Sequence, residues 1–432
     1  MKKLIASVLL ISALQVNAQL TQEEKKIIRN VKKEMPQTLQ MLEEMVNINS
    51  GSLNIEGVRK TGEVLRKEFD KIGFTTEWVL LPDSLKRAGH LVAHRKGKKG
   101  EKLFLIGHLD TVFEPDMPPN PYRLLNDSTA TGQGASDMKG GDMVIFAALK
   151  ALQKTGHLKN TTITAYFTGD EEKSGSPVSV SRADFIQRAK QAQIALAFEG
   201  AGGLKTVADA RRGSSGWQLN VYGKQAHSSG IFNVGFGAIY EASRIVNEFR
   251  VQLSKEKYLT FNPGIFVGGS ELNYDSGAIK AQVSGKTNII SPAAFVQGDL
   301  RFLTEAQKDS ARNKMRFIAS TDNLAGTRAE IFFDNGIPAM EPTKGNADLV
   351  QIVSKVSADL GLGRVRAGDP GSRGAGDISY VAKYVDGLDG LGASGTGAHA
   401  PGETINLKEF PLLIQRAAIL IYRLVNDKFS LH

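Results

Sequence analysis

The sequence predicts an α/β protein: one domain on a largely parallel central sheet, with an α+β sandwich inserted into it. Three observations predict this. A chain of 432 residues exceeds what a single core usually holds. Short apolar runs alternate with helical periodicities up to about residue 212. Near Gly213 the pattern becomes strand, helix, two or three strands, helix and strand, and the first pattern resumes at Ala347. The boundaries follow as 1–18 for an export segment, 19–212 and 338–432 for the two parts of the main domain, and 213–337 for the insert.

The elements follow in chain order. Thr21 and Glu24 form a capping box that opens a helix, and Pro36 predicts a restart before Leu39, Leu42 and Val46. A second helix covers 56–72 and stops at Gly73. Strands are expected over 75–80, 91–95 and 103–107, then a helix over 144–152 that ends before Gly156. The short apolar runs 162–167 and 194–198 read as buried strands. In the insert, 217–222 alternates as a half-exposed strand does, and 235–253 is helical. Strands follow over 265–267, 280–283 and 294–302, then a helix over 305–318 and a strand over 329–333. Helices over 347–360 and 407–425 close the chain.

Composition excludes several classes. Apolar residues make up 41%, that of an ordinary globular protein. There is no cysteine, so disulfides are excluded and any metal must be held by histidine and carboxylate. Lys2 and Lys3, the apolar run 4–14 and Val16-Asn17-Ala18 read as a secretory signal peptide. The expected mature protein is therefore periplasmic or secreted, with no membrane partner after cleavage. Its net charge falls from +9 to +7 when Lys2 and Lys3 leave. The densest basic run, 94–100, lies between two strand-like segments and reads as a solvated hairpin turn. It has no interleaved aromatics, so nucleic acid is not an expected partner.

Five acid or histidine clusters stand at strand ends or in Gly-rich loops. They are Gly107-His108-Leu109-Asp110, Ser136-Asp137-Met138-Lys139-Gly140-Gly141, Asp170-Glu171-Glu172, Phe198-Glu199-Gly200 and Gly397-Ala398-His399-Ala400-Pro401-Gly402-Glu403. Together they offer two histidines and several carboxylates, the donor set of a hydrolytic two-metal site. Ligands in open α/β sheets gather beyond strand ends, where His108 sits. Asp110 is placed to accept the imidazole's other N–H and fix its tautomer. Adjacent Glu171 and Glu172 repel unless one binds metal and the other holds a proton, as a ligand beside a general base does. Glu199 ends an apolar strand, a costly place for an unpaired charge. His90, His94 and His157 sit in ordinary surface contexts, and His432 is terminal.

The motifs Gly-His-Leu-Asp-Thr-Val, Asp-Met-Lys-Gly-Gly, Asp-Glu-Glu-Lys and Ala-His-Ser-Ser resemble those of the dinuclear zinc metallopeptidases. That family includes glutamate carboxypeptidase, aminoacylase, carnosinase, acetylornithine deacetylase and succinyl-diaminopimelate desuccinylase, and the nearest pattern is that of exported bacterial glutamate carboxypeptidases. The resemblance implies a catalytic domain with two Zn2+ per subunit and an insert that serves as lid and dimerisation domain of a homodimer. His108 and Glu199 would hold one zinc, Glu172 and His399 the other, and Asp137 would bridge them through a cis peptide to Met138. Glu171 would be general base and acid, and Asp110 would orient His108. His227 would reach the partner subunit's site to stabilise the oxyanion, while Asn288 and Arg301 would hold the substrate's free carboxylate. A glutamate at 199 resembles the carboxypeptidases and deacylases, whereas the aminopeptidases tend to carry aspartate there.

Two features depart from the pattern. Ile337 stands before Pro338 where glutamate-specific members carry arginine, and the segment 259–288 is longer than usual. Arg211, Arg212 and the loop 371–374 offer other basic groups near the expected site. The expected function is zinc-dependent carboxypeptidase activity on a small peptide. An N-acyl-amino-acid deacylase or dipeptidase is the alternative on the same site, and a non-catalytic zinc-dependent binding protein the alternative of another class.

Overall fold

The computed structural model describes residues 20–275 and 279–426; the expected signal peptide and His432 lie outside them. The central sheet has six strands: β1 (Thr75–Val79), β2 (His90–Arg95), β3 (Lys99–His108), β6 (Thr161–Thr168), β7 (Ile194–Ala197) and β16 (Asp386–Leu388). Their spatial order is β1-β2-β6-β3-β7-β16. β6, β3, β7 and β16 are mutually parallel, and β2 alone runs against its neighbours β1 and β6. Where both faces are covered the parallel strands are mostly apolar and buried, as in Leu103–Ile106 of β3 and Ile194–Ala197 of β7. Leu103 and Leu105 join the larger apolar cluster on one face, while Phe104 and Ile106 join Tyr166 and Phe185 on the other.

Two expectations are corrected here. The basic run 94–100 is no hairpin turn, because β6 lies between β2 and β3. The run instead crosses the start of β6, where the Lys98 and Lys99 amides both donate to Asn160 O at 2.8 Å. Nor does Pro36 restart a helix: α1 (Gln22–Asn47) runs through it. Proline removes one backbone N–H bond, but Ile27, Val31, Met41, Leu42 and Met45 are buried on both sides of it, and that packing carries the helix. The Thr21–Glu24 capping box is present. Around the sheet lie α2 (Ile55–Lys71), α3 (Lys139–Lys154), α4 (Val178–Ser181), α5 (Ala183–Ala189), α8 (Lys344–Asp359) and α9 (Phe410–Leu424). α1, α3 and α9 pack together.

The insert is an antiparallel sheet of β10 (Thr260–Gly269), β13 (Ala293–Phe302), β9 (Gly213–Gly223) and β14 (Thr327–Phe333), in that order. Alternate residues of β9, Trp217, Leu219 and Val221, meet Ile245 and Phe249 of α6 (Gly237–Leu253) and Met315 of α7 (Glu305–Ser320) in a separate core. The unusual length of 259–288 is a hairpin, β11 (Glu271–Asp275) and β12 (Lys280–Ser284), which pairs only with itself among the described residues. Tyr274 stacks on Phe295, ring centroids 3.9 Å apart, and holds the hairpin to the sheet. Of the short strands, β8 (Thr206–Val207) pairs with β15 (Arg366–Ala367). The others, β4 (Arg123–Asn126), β5 (Thr129–Thr131), β17 (Gly395–Thr396) and β18 (Thr404–Asn406), form a small sheet beside the site. No described helix is long and apolar enough to cross a membrane.

Candidate active site

Because β3, β6 and β7 are parallel, their C-terminal ends open on one edge, and that edge carries the acid and histidine clusters. His108 ends β3, Glu171 and Glu172 follow β6, and Glu199 follows β7. Asp137 precedes α3, with a cis peptide to Met138. The two glycines after Lys139 let α3 approach closely: a Cβ on Gly141 would stand 2.0 Å from Phe198 O, and one on Gly140 2.4 Å from Ala135 O. His399 stands in the β17–β18 loop with φ of 64°, a left-handed conformation that is strained for histidine.

These side chains converge as two trios that share Asp137. His108 Nε2 lies 3.4 Å from Asp137 Oδ1 and 3.7 Å from Glu199 Oε1. His399 Nε2 lies 3.0 Å from Asp137 Oδ2 and 3.2 Å from Glu172 Oε2. Asp137 thus turns one oxygen to each trio, and the donor atoms of each trio lie within 4.8 Å of one another. Glu171 stands beside both, on the wall of a cavity of about 530 Å³ that also exposes Asp137, Glu199 and His399.

The residues fit two divalent cations. His108 Nε2 and Glu172 Oε1 are buried without a hydrogen-bond partner. Burial, then the charge of Glu199, pushes Glu171 well above the usual carboxylate range. Burial likewise pushes Glu199 up to about 8. Hydrogen bonds to Asp137 and Glu172 push His399 up to about 11. Glu171, Glu199 and His399 thus hold their protons tightly, and a cation at the cluster would take the place of that positive charge. The donors are nitrogen and oxygen alone, a set that suits a borderline or hard divalent ion.

Asp110 works differently from its expected role. The His108 ring is held by the backbone carbonyl of Asp110, 2.9 Å from Nδ1, while the nearer carboxylate oxygen is 3.6 Å away. That carboxylate accepts the amides of Glu171 and Glu172, each at 3.0 Å, and the Ser52 hydroxyl at 2.6 Å. The turn bearing the two glutamates presents N–H groups that need acceptors, and Asp110 supplies them.

Several supporting residues were not legible in the sequence. His90, read as a surface residue, is wholly buried; its Nδ1 accepts from the Gly169 amide at 3.2 Å and its Nε2 lies 2.9 Å from Ser181 O. Beside it the buried Arg182 joins Asp170 Oδ1 at 2.5 Å to Asp377 Oδ1 at 2.8 Å, and Thr168 Oγ1 donates to Asp377 Oδ2 at 2.5 Å. This network clamps the Glu171–Glu172 loop from behind. Buried Glu403 accepts the amides of Gly134, Ser136 and Asp137 at 3.0, 2.7 and 2.8 Å, tying the His399 loop to the Asp137 loop.

The insert's residues are placed apart. His227 is exposed, with Nδ1 2.8 Å from Ser229 Oγ, and the adjoining Ser228 amide donates to Asn288 O. Neither His227 nor Asn288 lines the cavity of its own chain. Arg301 does not line it either but stands nearer: its Nε donates to Asp299 Oδ2 at 2.8 Å, and a Cβ on the cavity residue Gly374 would stand 3.7 Å from its Nη1.

Comparison with known proteins places this geometry. The model of Peptidase family M20/M25/M40 matches residues 104–423. Carboxypeptidase G2 of Pseudomonas sp. (strain RS-16) is 30% identical over 400 residues, covering 90% of this chain and 89% of the relative. Succinyl-diaminopimelate desuccinylase of Psychrobacter sp. (strain PRwf-1) is 24% identical over 400 residues, covering 88% and 93%. A Bacillus subtilis crystal structure, described as a dinuclear metal binding peptidase from the M20 family, superposes with a TM-score of 0.65 at 15% identity, covering 91% of this chain and 99% of that one.

Proposed function

This chain belongs to peptidase family M20/M25/M40 and is a metallopeptidase, and we propose that it is a zinc-dependent exopeptidase that hydrolyses the amide bond to a C-terminal amino acid. One observation carries the reading: Asp137 divides its two oxygens between the His108–Glu199 and Glu172–His399 trios, with Glu171 beside both. The 30% identity to a carboxypeptidase over most of both chains supports the C-terminal specificity.

His108, Asp137 and Glu199 would hold one zinc, and Asp137, Glu172 and His399 the other. Bound zinc supplies Lewis acidity toward the amide carbonyl and eases deprotonation of water. Glu171 accepts the proton of the attacking water as the new C–O bond forms. It returns that proton to the amide nitrogen as the C–N bond breaks. Its setting suits the task, because burial and the neighbouring charge of Glu199 both favour the protonated carboxyl between the two transfers. Asp110 keeps the Glu171–Glu172 turn in register through its two amide contacts. Asn288 and Arg301 would hold the substrate's α-carboxylate. His227, exposed and absent from its own cavity, would donate to the oxyanion of the partner's site in a homodimer. The basic start and apolar run of 1–18 support export.

The test is zinc-loaded protein with peptides and N-acyl amino acids, with metal content determined on the same sample. Release of the C-terminal residue with two zincs per chain supports the reading; a metal-replete protein that cleaves none of them refutes it. A second reading, N-acyl-amino-acid deacylase, is favoured by the 24% identity to a desuccinylase and would show as preference for N-succinyl or N-acetyl substrates over peptides.

A further inference from the structure

Buried atoms without a hydrogen-bond partner mark His108 and Glu172 in the cluster, and the same mark falls on a residue outside it. Asp142 is wholly buried, and neither of its carboxylate oxygens has a partner among the described residues. An orphaned buried carboxyl group is costly, and a fold that keeps one calls for a use.

Two elements set its place. Asp142 stands in the first turn of α3, where the helix dipole favours an anion. Its Oδ1 lies against the end of β3: a Cβ on Gly107 would stand 2.2 Å from it, so the glycine before His108 leaves the carboxylate its room. Lys139, three residues earlier and equally buried, turns its ammonium elsewhere and donates to Ile48 O at 2.8 Å. The charges that act on Asp142 most are those of His108 and Glu199, which belong to one trio, ahead of Lys139 and Asp110. Burial holds its carboxyl well above the usual carboxylate range, and the charge on His108 opposes that most strongly. A divalent cation against His108 Nε2 would bring twice that charge to the same region, where little water screens the attraction.

We propose that Asp142 is a positioning residue for one of the two cations: an anion that ligates nothing, whose charge behind His108 strengthens the grip of the His108–Asp137–Glu199 trio and leaves the Asp137–Glu172–His399 trio to its own ligands. The inference rests on the two-cation reading above and goes beyond it, because it makes the two positions unequal. The stability lost to an orphaned carboxyl in the metal-free protein is the other side of that grip.

The experiment titrates zinc, against a competing chelator, into the metal-free full chain of wild type, Asp142→Asn and Asp142→Leu, and unfolds each metal-free protein in denaturant. Wild type should take up two zincs. In both variants one zinc should bind roughly 10- to 100-fold more weakly, the scale of a lost outer partner of a metal ligand, and the other within about threefold of wild type. Metal-free Asp142→Leu should be at least as stable as wild type, because an apolar side chain replaces a group with no partner. Anomalous diffraction from Asp142→Asn crystals, at a zinc concentration that fills one position, should show the peak against Glu172 and His399. Two unaltered affinities, equal loss at both positions, or a peak against His108 and Glu199 instead overturns the proposal. So does marked destabilisation of both metal-free variants, which would make the carboxyl a structural group. Each of these leaves the two-cation reading intact. A wild type that binds fewer than two zincs brings down both.

Discussion

The two domains hold their parts of the proposed site in opposite ways. In the catalytic domain His108, Asp137, Glu171, Glu172 and Glu199 are fixed at strand and helix ends, clamped by Asp110, Arg182 and Glu403, and already within reach of one another. In the insert, His227 and Asn288 are tied to each other through the Ser228 amide but stand clear of the cavity. The difference teaches that the acid and histidine cluster is preorganised within one chain, while the proposed oxyanion donor, His227, stands outside that chain's own cavity.

The sharpest way to break that comparison is to remove the base. Glu171 shares a third donor group with His108 and Glu172, but both trios that meet at Asp137 are complete without it, so Glu171→Ala should lower kcat by about 10²- to 10⁴-fold while zinc content stays near that of wild type. Steady-state kinetics with metal analysis on one sample checks it; near-normal kcat would remove Glu171 from the mechanism.

His227→Ala should cost roughly 10²- to 10³-fold, the scale of one lost oxyanion donor. If His227 serves the partner, mixing His227→Ala subunits with Glu171→Ala subunits should restore activity in the mixed dimer, where one site has both residues intact. Two inactive proteins that stay inactive when mixed would place His227 in its own chain's site or outside the chemistry.

Arg182→Leu probes the clamp instead of the chemistry. Removing one partner of a buried ion pair costs about 3–5 kcal/mol, because Asp170 and Asp377 are left buried without their cation. Denaturant unfolding should show a loss of that order; a loss below about 1 kcal/mol would mean that the network is dispensable. Ser52→Ala, which deletes one hydrogen bond to Asp110, should cost only about 1 kcal/mol by the same measurement.

What the sequence revealed and what it hid divide along the same physical line. The longer strands and helices and the five clusters are local patterns, so periodicity and strand ends located them, whereas the two-residue strands β8, β15 and β17 and the short helices α4 and α5 are too brief to show a period. The order β2-β6-β3 is a long-range fact, and the basic run between β2 and β3 was misread because neighbours in sequence need not pair. His90 looked like a surface histidine because its partners, Gly169 and Ser181, lie far along the chain. Arg182 and Asp377 are 195 residues apart, and no local signal marks either as a clamp. Glu403 was visible in its motif, yet its grip on the Asp137 loop spans 266 residues. Asp110 was found for one reason and works for another, since spacing cannot tell a carboxylate contact from a carbonyl contact.

The most direct test of the central claim is anomalous diffraction at the zinc edge from crystals of the zinc-loaded protein. Two peaks flanking Asp137, one against His108 and Glu199 and the other against Glu172 and His399, are the expected result. A single peak, or peaks away from Asp137, would contradict the account.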